Sequence, residues 1–155
     1  MAIFEPVRYE TEEILSIPIA GSNRCYVISG FADFTWGEGH VGKGPLSNVV
    51  ADRDDDDLWV THKLHIVVGR EWHDVKQVSP TAAIAGYWFH NSDETDSTGI
   101  ELENCKWDTV GVDGNTGLEK IRLKIKLRMC GGVQSSVTKI SYHLVAIVTE
   151  LSIVG

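Results

Sequence analysis

Long apolar runs, closely spaced cysteine pairs and helical periodicity are all missing from this sequence. No stretch approaches the roughly 18 apolar residues that a transmembrane helix needs, so we predict no membrane insertion. The N-terminus has no basic segment followed by an apolar one, so we expect no signal peptide and a protein that is cytoplasmic or exported by a leaderless route. The three cysteines lack C-x-x-C spacing, which argues against a zinc site.

A basic excess and catalytic motifs are also missing. The net charge of −8 and the pI near 5.1 predict no nucleic-acid partner, because nucleic-acid binding needs a basic surface. The chain has no Gly-x-Ser-x-Gly elbow and no glycine loop of the phosphate-binding type. Binding is therefore favoured over catalysis.

The strongest pattern present is a run of strict alternation between Ile121 and Met129. Ile121, Leu123, Ile125, Leu127 and Met129 alternate with four basic residues, Arg122, Lys124, Lys126 and Arg128. Only a β-strand places every second side chain on one face, so we predict one buried face and one that is wet or meets an acidic partner. At 155 residues the chain suits a single β domain spanning residues 1–155.

Strand patterns recur along the chain, separated by clusters of Gly, Asn, Asp and Pro. They predict an all-β fold, an antiparallel β-sandwich or jelly roll, with a closed β-barrel as the alternative. The short connection after Cys130 further predicts that the last two strands form an antiparallel hairpin. The predicted strands are Glu13–Ile19, Arg24–Phe34, Leu58–Val68, Thr81–Asn91, Gly99–Trp107, Glu119–Cys130 and Val137–Ile153.

Trp36, Glu38 and His40 form the first candidate site. They follow a predicted strand, at the start of a glycine-rich segment of about twenty residues, and long loops in compact domains are often functional. An aromatic ring can stack on the C–H face of a sugar while a carboxylate and an imidazole bind its hydroxyls. The alternative is that Trp36 closes one end of the sandwich and the two polar residues are solvated.

A second candidate site follows the aromatic strand that contains Trp88 and His90. These two residues share a predicted strand face and could reach one ligand together. The next segment contains Asp93 and Asp96 among other short oxygen donors, which suit sugar hydroxyls or calcium. The alternative is a polar hairpin turn, because Asn, Ser and Asp are common in turns.

An acidic run precedes the third predicted strand and is a candidate calcium site. Calcium takes six to eight oxygen ligands, although the order of residues here does not match an EF-hand loop. The alternative is a solvated acidic loop that pairs with the basic face of the alternating strand. The calcium candidates are Asp54, Asp55, Asp56 and Asp57, and the protein is otherwise expected to use no cofactor.

The histidines give a weaker indication. His62 and His65 are three apart on a predicted strand, so they point to opposite faces and do not hold one metal together. A pocket lined by His62 or His65 with Trp88 and Tyr142 would instead suit a small β-barrel enzyme.

The terminal segment from Val137 to Ile147 resembles the closing strand of H-type lectins. It has Thr138-Lys139, then an aliphatic residue, and continues into an aromatic–aliphatic strand. The resemblance implies a six-stranded antiparallel β-sandwich that forms trimers and binds galactose-type sugars. It covers this strand only, and it transfers no binding residue.

These observations together favour a carbohydrate-binding, lectin-like β-sandwich without catalytic activity, with glycans as partners and a homo-oligomeric state. Two alternatives remain open. One is a structural or assembly subunit of the virion, phage or filament type, whose basic strand face meets the acidic segment of a neighbour. The other is the β-barrel enzyme with a pocket of His and Trp residues.

Overall fold

The computed structural model describes residues 3–35, 46, 59–90, 99–112, 116–130 and 134–150. At residues 59, 88–90, 130 and 134–135 it describes the backbone only. Within this part of the chain there are eight β-strands and no helix: β1 (Ile3–Phe4), β2 (Arg8–Pro18), β3 (Asn23–Asp33), β4 (Trp59–Trp72), β5 (Asp74–His90), β6 (Gly99–Gly111), β7 (Glu119–Cys130) and β8 (Gln134–Thr149).

The strands form two four-stranded sheets. Sheet A has the order β1-β4-β7-β6, and sheet B has the order β2-β3-β8-β5. The short β1 runs parallel to β4, and the other pairs are antiparallel. The predicted all-β sandwich is therefore confirmed, since the strands form two separate sheets rather than the single closed sheet of the alternative.

The core lies between the sheets and follows the alternation of the sequence. All five apolar side chains of the β7 run are at most 2% exposed, which confirms the face predicted to be buried. Alternate residues of β8, including Ile140, Leu144 and Val148, belong to the same core cluster from the other sheet. Each sheet therefore buries one face against the other, as the period of two requires.

The prediction that the last two strands form a hairpin is wrong. β7 pairs with β4 and β6 in sheet A, whereas β8 pairs with β3 and β5 in sheet B. Both strands have one strongly apolar face, and the connection at residues 131–133 carries the chain from one sheet to the other. Their apolar faces thus contribute to the core from opposite sheets.

β4 and β5 extend well beyond their predicted ranges, and only His73 separates them. Gly69 and Pro80 in this region suggest a loop by sequence, but the structure accommodates both within strands. Gly69 lies at a register shift of β4, and Pro80 lies on β5, an edge strand of sheet B. An edge strand tolerates a residue that lacks an N–H group.

A register shift in β2 brings Glu12 of this strand into contact with a buried tyrosine of the core. Thr11 has a φ of 45° where the pairing of β2 with β3 shifts register. The buried Tyr142 donates a hydrogen bond across β3 to Glu12, directly over Gly30. Burial, followed by this hydrogen bond, raises the pKa of Tyr142 above its usual value. A bulge therefore aims the Glu12 carboxylate at the core side of sheet B.

The described residues contain no helix long and apolar enough to cross a membrane.

Candidate functional site

The two ends of the sandwich differ in their connections. At one end, short segments join β2 to β3, β4 to β5 and β6 to β7. The other end, called the β3–β4 end below, is where β3, β5 and β7 finish and where β4, β6 and β8 begin. The register fixes this arrangement, because Trp59 and Gly99 both pair with Cys130 while His90 pairs with Gln134.

The sequence candidates belong to segments that leave the described strands at the β3–β4 end. Trp36, Glu38 and His40 fall between β3 and β4, in a connection of 25 residues (34–58). Asp93 and Asp96 fall between β5 and β6, in the eight residues 91–98. All five lie outside the described residues, so the prediction that they bind a ligand stays a prediction.

Trp88 and His90 lie in the last three residues of β5, next to the β3–β4 end. The backbone places them on β5, in register with Ser136 and Gln134 of β8. Their side chains lie outside the described part of the structure. The predicted strand is thus confirmed, while the shared ligand remains a prediction.

A compact base supports the β3–β4 end. Phe34 and Leu46 are both fully buried, although they belong to the long connection rather than to a strand. The Phe34 N–H donates to the Thr138 carbonyl at 2.8 Å, and the Val137 N–H donates to the Leu46 carbonyl at 2.9 Å. The connection is therefore attached to β8 at two points, twelve residues apart in sequence.

Asp33 is the charged member of this base. It is 2% exposed, accepts a hydrogen bond from Arg8 Nε at 2.7 Å and accepts another from the Thr35 N–H at 2.8 Å. Burial alone would raise the pKa of Asp33, but the hydrogen bonds from Thr35 and Arg8 outweigh it, and the pKa is lowered. Asp33 is thus an ionised structural group that fixes the start of the long connection.

The calcium candidates Asp54, Asp55, Asp56 and Asp57 lie outside the described residues. Among the residues that the structure does describe, no group of three or more His, Cys, Asp or Glu side chains could hold a metal ion. Cys25 and Cys105 are free thiols, and burial raises the pKa of Cys105 to about 11. A buried thiol with this pKa is a poor nucleophile.

A second concave surface lies on the outer face of sheet A and is called the sheet A groove below. Its volume is about 510 Å³, and three strands supply its polar side chains. The basic residues of β7 are evident from the sequence, whereas the contributions of β4 and β6 were not predicted. The signal available was that Lys63 and His65 are two residues apart and therefore share a strand face, opposite the face of the buried residues between which they lie. The groove is lined by Ile3, Lys63, Leu64, His65, Asn104, Lys106, Arg122, Lys124, Ile125 and Lys126.

Carboxylates of β6 pair with part of the basic face. Arg122 makes a two-point contact with Asp108: Nε donates to Oδ1 at 2.7 Å, and Nη2 donates to Oδ2. Lys126 Nζ lies 3.1 Å from Glu103 Oε2, and Arg128 donates to Glu101. The basic face therefore meets carboxylates of the neighbouring strand β6, while its pairing with the acidic segment that contains Asp54 to Asp57 stays a prediction.

These pairs shape the protonation of the groove. The hydrogen bond from Arg122 lowers the pKa of Asp108, and the same contact raises the pKa of Arg122. Burial and then the positive charges of Arg122 and Lys124 lower the pKa of His65, against the opposing effect of Asp108 and Glu5. His65 is therefore neutral at pH 7, and the permanent positive charge of the groove comes from lysine and arginine.

The two histidines of β4 lie on opposite faces, as predicted. His62 is 2% exposed and packs edge-on against Phe4, with ring centroids 5.3 Å apart, while His65 lines the sheet A groove. Tyr142, which with Trp88 was also expected in an enzyme pocket, is buried and donates a hydrogen bond to Glu12. His65 and Tyr142 thus belong to different sheets and different surroundings.

The outer face of sheet B has a different character. Two cross-strand rows there contain no charged residue: Leu15–Val27–Val145–Ser79 and Ile17–Cys25–Ile147–Gln77. Leu15 is 66% exposed and Ile17 is 52% exposed. The six residues Leu15, Ile17, Cys25, Val27, Val145 and Ile147 are called the sheet B patch below.

Comparisons of the chain with protein families, curated proteins and solved structures give no match.

Proposed function

We propose that this protein is a carbohydrate-binding, lectin-like β-sandwich, with its sugar site at the β3–β4 end. One observation carries the proposal: the segments that contain Trp36, Glu38, His40, Asp93 and Asp96 all join the described strands at that end. Two segments that are far apart in sequence therefore connect to the described strands at the same end of the sandwich. Binding residues are commonly carried on loops that a rigid scaffold positions.

The base of the β3–β4 end supports this proposal in physical terms. Phe34 and Leu46 anchor the long connection in the core, and Asp33 fixes its first residues. A ligand that binds to an anchored segment meets a smaller entropic cost than one that must order a free loop. The resemblance of β8 to the closing strand of H-type lectins agrees with a sugar ligand.

The test is a glycan array with the wild-type chain and with the variants Trp36→Ala and Trp88→Ala. We expect the wild type to bind one class of sugar and both variants to lose at least ten-fold in affinity, because an aromatic platform is removed. Val112→Ala, in the connection between β6 and β7 at the opposite end, is the matched control and should bind normally. A blank array for the wild type would refute the proposal.

Calcium forms a separate arm of the same experiment. If Asp54, Asp55, Asp56 and Asp57 hold calcium that shapes the sugar site, a chelator will abolish binding and added calcium will restore it. If the acidic segment is only solvated, binding will be equal in both conditions. Substituting all four by Asn should reproduce the effect of the chelator in the first case.

We further propose that the protein is a homo-oligomer whose copies meet through the sheet B patch. Sheet B is about 19 Å wide, and its strand β3 of 11 residues is about 37 Å long, so its outer face offers roughly 700 Å². A standard interface buries about 800 Å² per partner. Because each copy carries a net charge of −8, a face with two uncharged rows is where copies repel least.

A patch of this kind also favours the alternative role, a structural or assembly subunit, because exposed apolar surface marks protein interfaces. Sedimentation of Leu15→Glu and Val27→Glu tests the interface that both roles share. Both variants should become monomers, whereas Val112→Glu, which places the same charge on an exposed apolar residue elsewhere, should not. A wild type that is monomeric at high concentration would refute the interface.

A further inference from the structure

The middle of the sheet A groove contains a block of cations that the rest of the fold does not explain. Register places Lys63, Lys126 and Asn104 in one cross-strand row, and His65, Lys124 and Lys106 in the next. Lys63 is directly opposite Lys126, and Lys106 is directly opposite Lys124. Like charges in directly opposed positions destabilise a sheet, so this arrangement is costly for the fold by itself.

Carboxylates neutralise this block only in part. Lys126 is paired with Glu103 at 3.1 Å, and Lys124 lies 3.8 Å from an Asp108 oxygen that already binds Arg122. Within the described part of the chain, Lys63 and Lys106 take part in no ion pair. Two exposed ammonium groups therefore flank the centre of the groove, one on each of the strands β4 and β6 beside β7, in a protein whose net charge is −8.

We propose that the sheet A groove binds a short anionic oligosaccharide, with the sulfate or carboxylate groups of the sugar placed on Lys63, Lys106, Lys124 and Lys126. This inference concerns a different site from the β3–β4 end and does not rest on the proposed function. The sheet A groove has a volume of about 510 Å³, which is within the range of sites for small molecules, roughly 300–1,000 Å³.

The spacing of the cations favours an extended ligand with several charges. Neighbouring strands are about 4.8 Å apart, and the two rows are separated by about 6.8 Å along a strand, so a single inorganic anion would contact only part of the block. The Asn104 amide, at the end of the first row, can both donate to and accept from a sugar hydroxyl. Ile3 beside Lys63 adds an apolar rim for the C–H face of a ring.

Other polyanions fit this surface less well. Proteins that bind single-stranded nucleic acid stack the bases on aromatic side chains, and among the described residues that line the groove there is no Phe, Tyr or Trp. The net charge of −8 also repels a long polyanion, whose charge extends far beyond the groove. A short saccharide places its charge on the lysines alone.

The test measures binding by calorimetry to a sulfated hexasaccharide, to the same hexasaccharide after desulfation and to a hexasaccharide of uronate residues. The variant Lys63→Gln/Lys106→Gln removes two charges without breaking an ion pair, so it should keep the fold, and its thermal unfolding is measured to check this. The control is Lys76→Gln/Lys120→Gln, which makes the same change of net charge at two residues that do not line the groove; because it also removes the exposed Lys76–Asp74 ion pair, its thermal unfolding is measured as well.

We expect at least one of the two anionic hexasaccharides to bind the wild type, with the desulfated sugar at least ten-fold weaker than the sulfated one if sulfate is the group recognised. Affinity should fall ten-fold or more in Lys63→Gln/Lys106→Gln and less than two-fold in the control. Trp36→Ala should bind the anionic sugar normally, while Lys63→Gln/Lys106→Gln should retain any neutral sugar that the β3–β4 end binds.

Four results would overturn the proposal. They are no binding of either anionic hexasaccharide, equal losses in the two double variants, inorganic sulfate binding as tightly as the hexasaccharides, and tighter binding of poly-aspartate or an oligonucleotide of matched charge. The third would reduce the groove to a site for small anions, and the fourth would assign it to another class of partner.

Discussion

Replacing Gly30 by alanine tests the packing that joins β2 to the core. An ideal Cβ at Gly30 would lie 2.6 Å from Tyr142 Oη and 2.8 Å from Tyr142 Cζ, well inside van der Waals contact. The ring of Tyr142 is buried, and its hydroxyl donates to Glu12, so it cannot move away without losing that hydrogen bond. Gly30→Ala must therefore either compress the core or break the contact between β8 and β2.

The cost can be worked from these contacts. Overpacking a core by one methyl group costs about 1–3 kcal/mol, and a lost hydrogen bond costs about 1 kcal/mol more. We thus expect the free energy of unfolding to fall by about 2–4 kcal/mol. For a chain of this size, each kcal/mol lowers Tm by about 2–4 °C, so the decrease in Tm should be roughly 4–16 °C.

Urea unfolding followed by tryptophan fluorescence gives the free energy, and Gly111→Ala is the matched control. A Cβ at Gly111 meets no atom within 4 Å, so this change should leave stability within about 1 kcal/mol of the wild type. Tyr142→Phe removes the closer of the two clashing atoms, and Gly30→Ala should cost less in that background. Strictly additive effects, or equal effects at Gly30 and Gly111, would refute the reasoning.

Three further predictions concern the core, the buried carboxylate and the thiols. Leu127→Ala should lower the free energy of unfolding by about 2–5 kcal/mol in urea titrations, because Leu127 is fully buried, while the exposed Val112→Ala should change it by less than about 0.5 kcal/mol. The pKa of Asp33 is lower in the folded chain than its unfolded value of about 3.9, so ionised Asp33 stabilises the fold above that pH. This stabilisation is lost as the pH falls through the pKa of the folded state. Asp33→Asn should therefore flatten the pH dependence of Tm below about pH 4. Burial raises the pKa of Cys105 to about 11, so less of this thiol is ionised at pH 8 in the folded chain than in the unfolded chain. In a variant that keeps Cys105 and has serine at the other two cysteine positions, the reaction with iodoacetamide at pH 8 should be about 100-fold slower in the folded chain than in urea. Equal rates would contradict the burial of Cys105.

The fold class could be predicted from sequence because alternation with a period of two is a local signal. β7 was predicted with its observed bounds, since between Ile121 and Met129 every inward-facing residue is apolar and every outward-facing residue is basic. The extension of β4 and β5 toward His73 was missed, because Gly69 and Pro80 interrupt the pattern while the pairing with β7 and β8 overrides it.

Strand partners and the sheet A groove could not be predicted in the same way. The pairing of β7 with β4 brings Lys63 beside Lys126, which are 63 residues apart in sequence, and a register change of one residue would have put Lys63 in the core. The candidate residues at the β3–β4 end, such as Trp36 and Asp93, were chosen for their chemistry alone. Topology adds that their segments leave from one end of the sandwich.

The two outer faces of the sandwich allow the proposed interface and the proposed groove to be tested against each other. The sheet B patch is uncharged, whereas the sheet A groove is lined by Lys63, Lys106 and other cations on the opposite face. Copies that meet through sheet B leave every groove accessible, so a saturating sulfated hexasaccharide should leave the number of copies in the oligomer unchanged. Copies that meet through sheet A would cover the groove, and by linkage the same ligand would dissociate them. Sedimentation with and without the hexasaccharide therefore distinguishes the two arrangements, and dissociation by the ligand would show that the interface has been assigned to the wrong face.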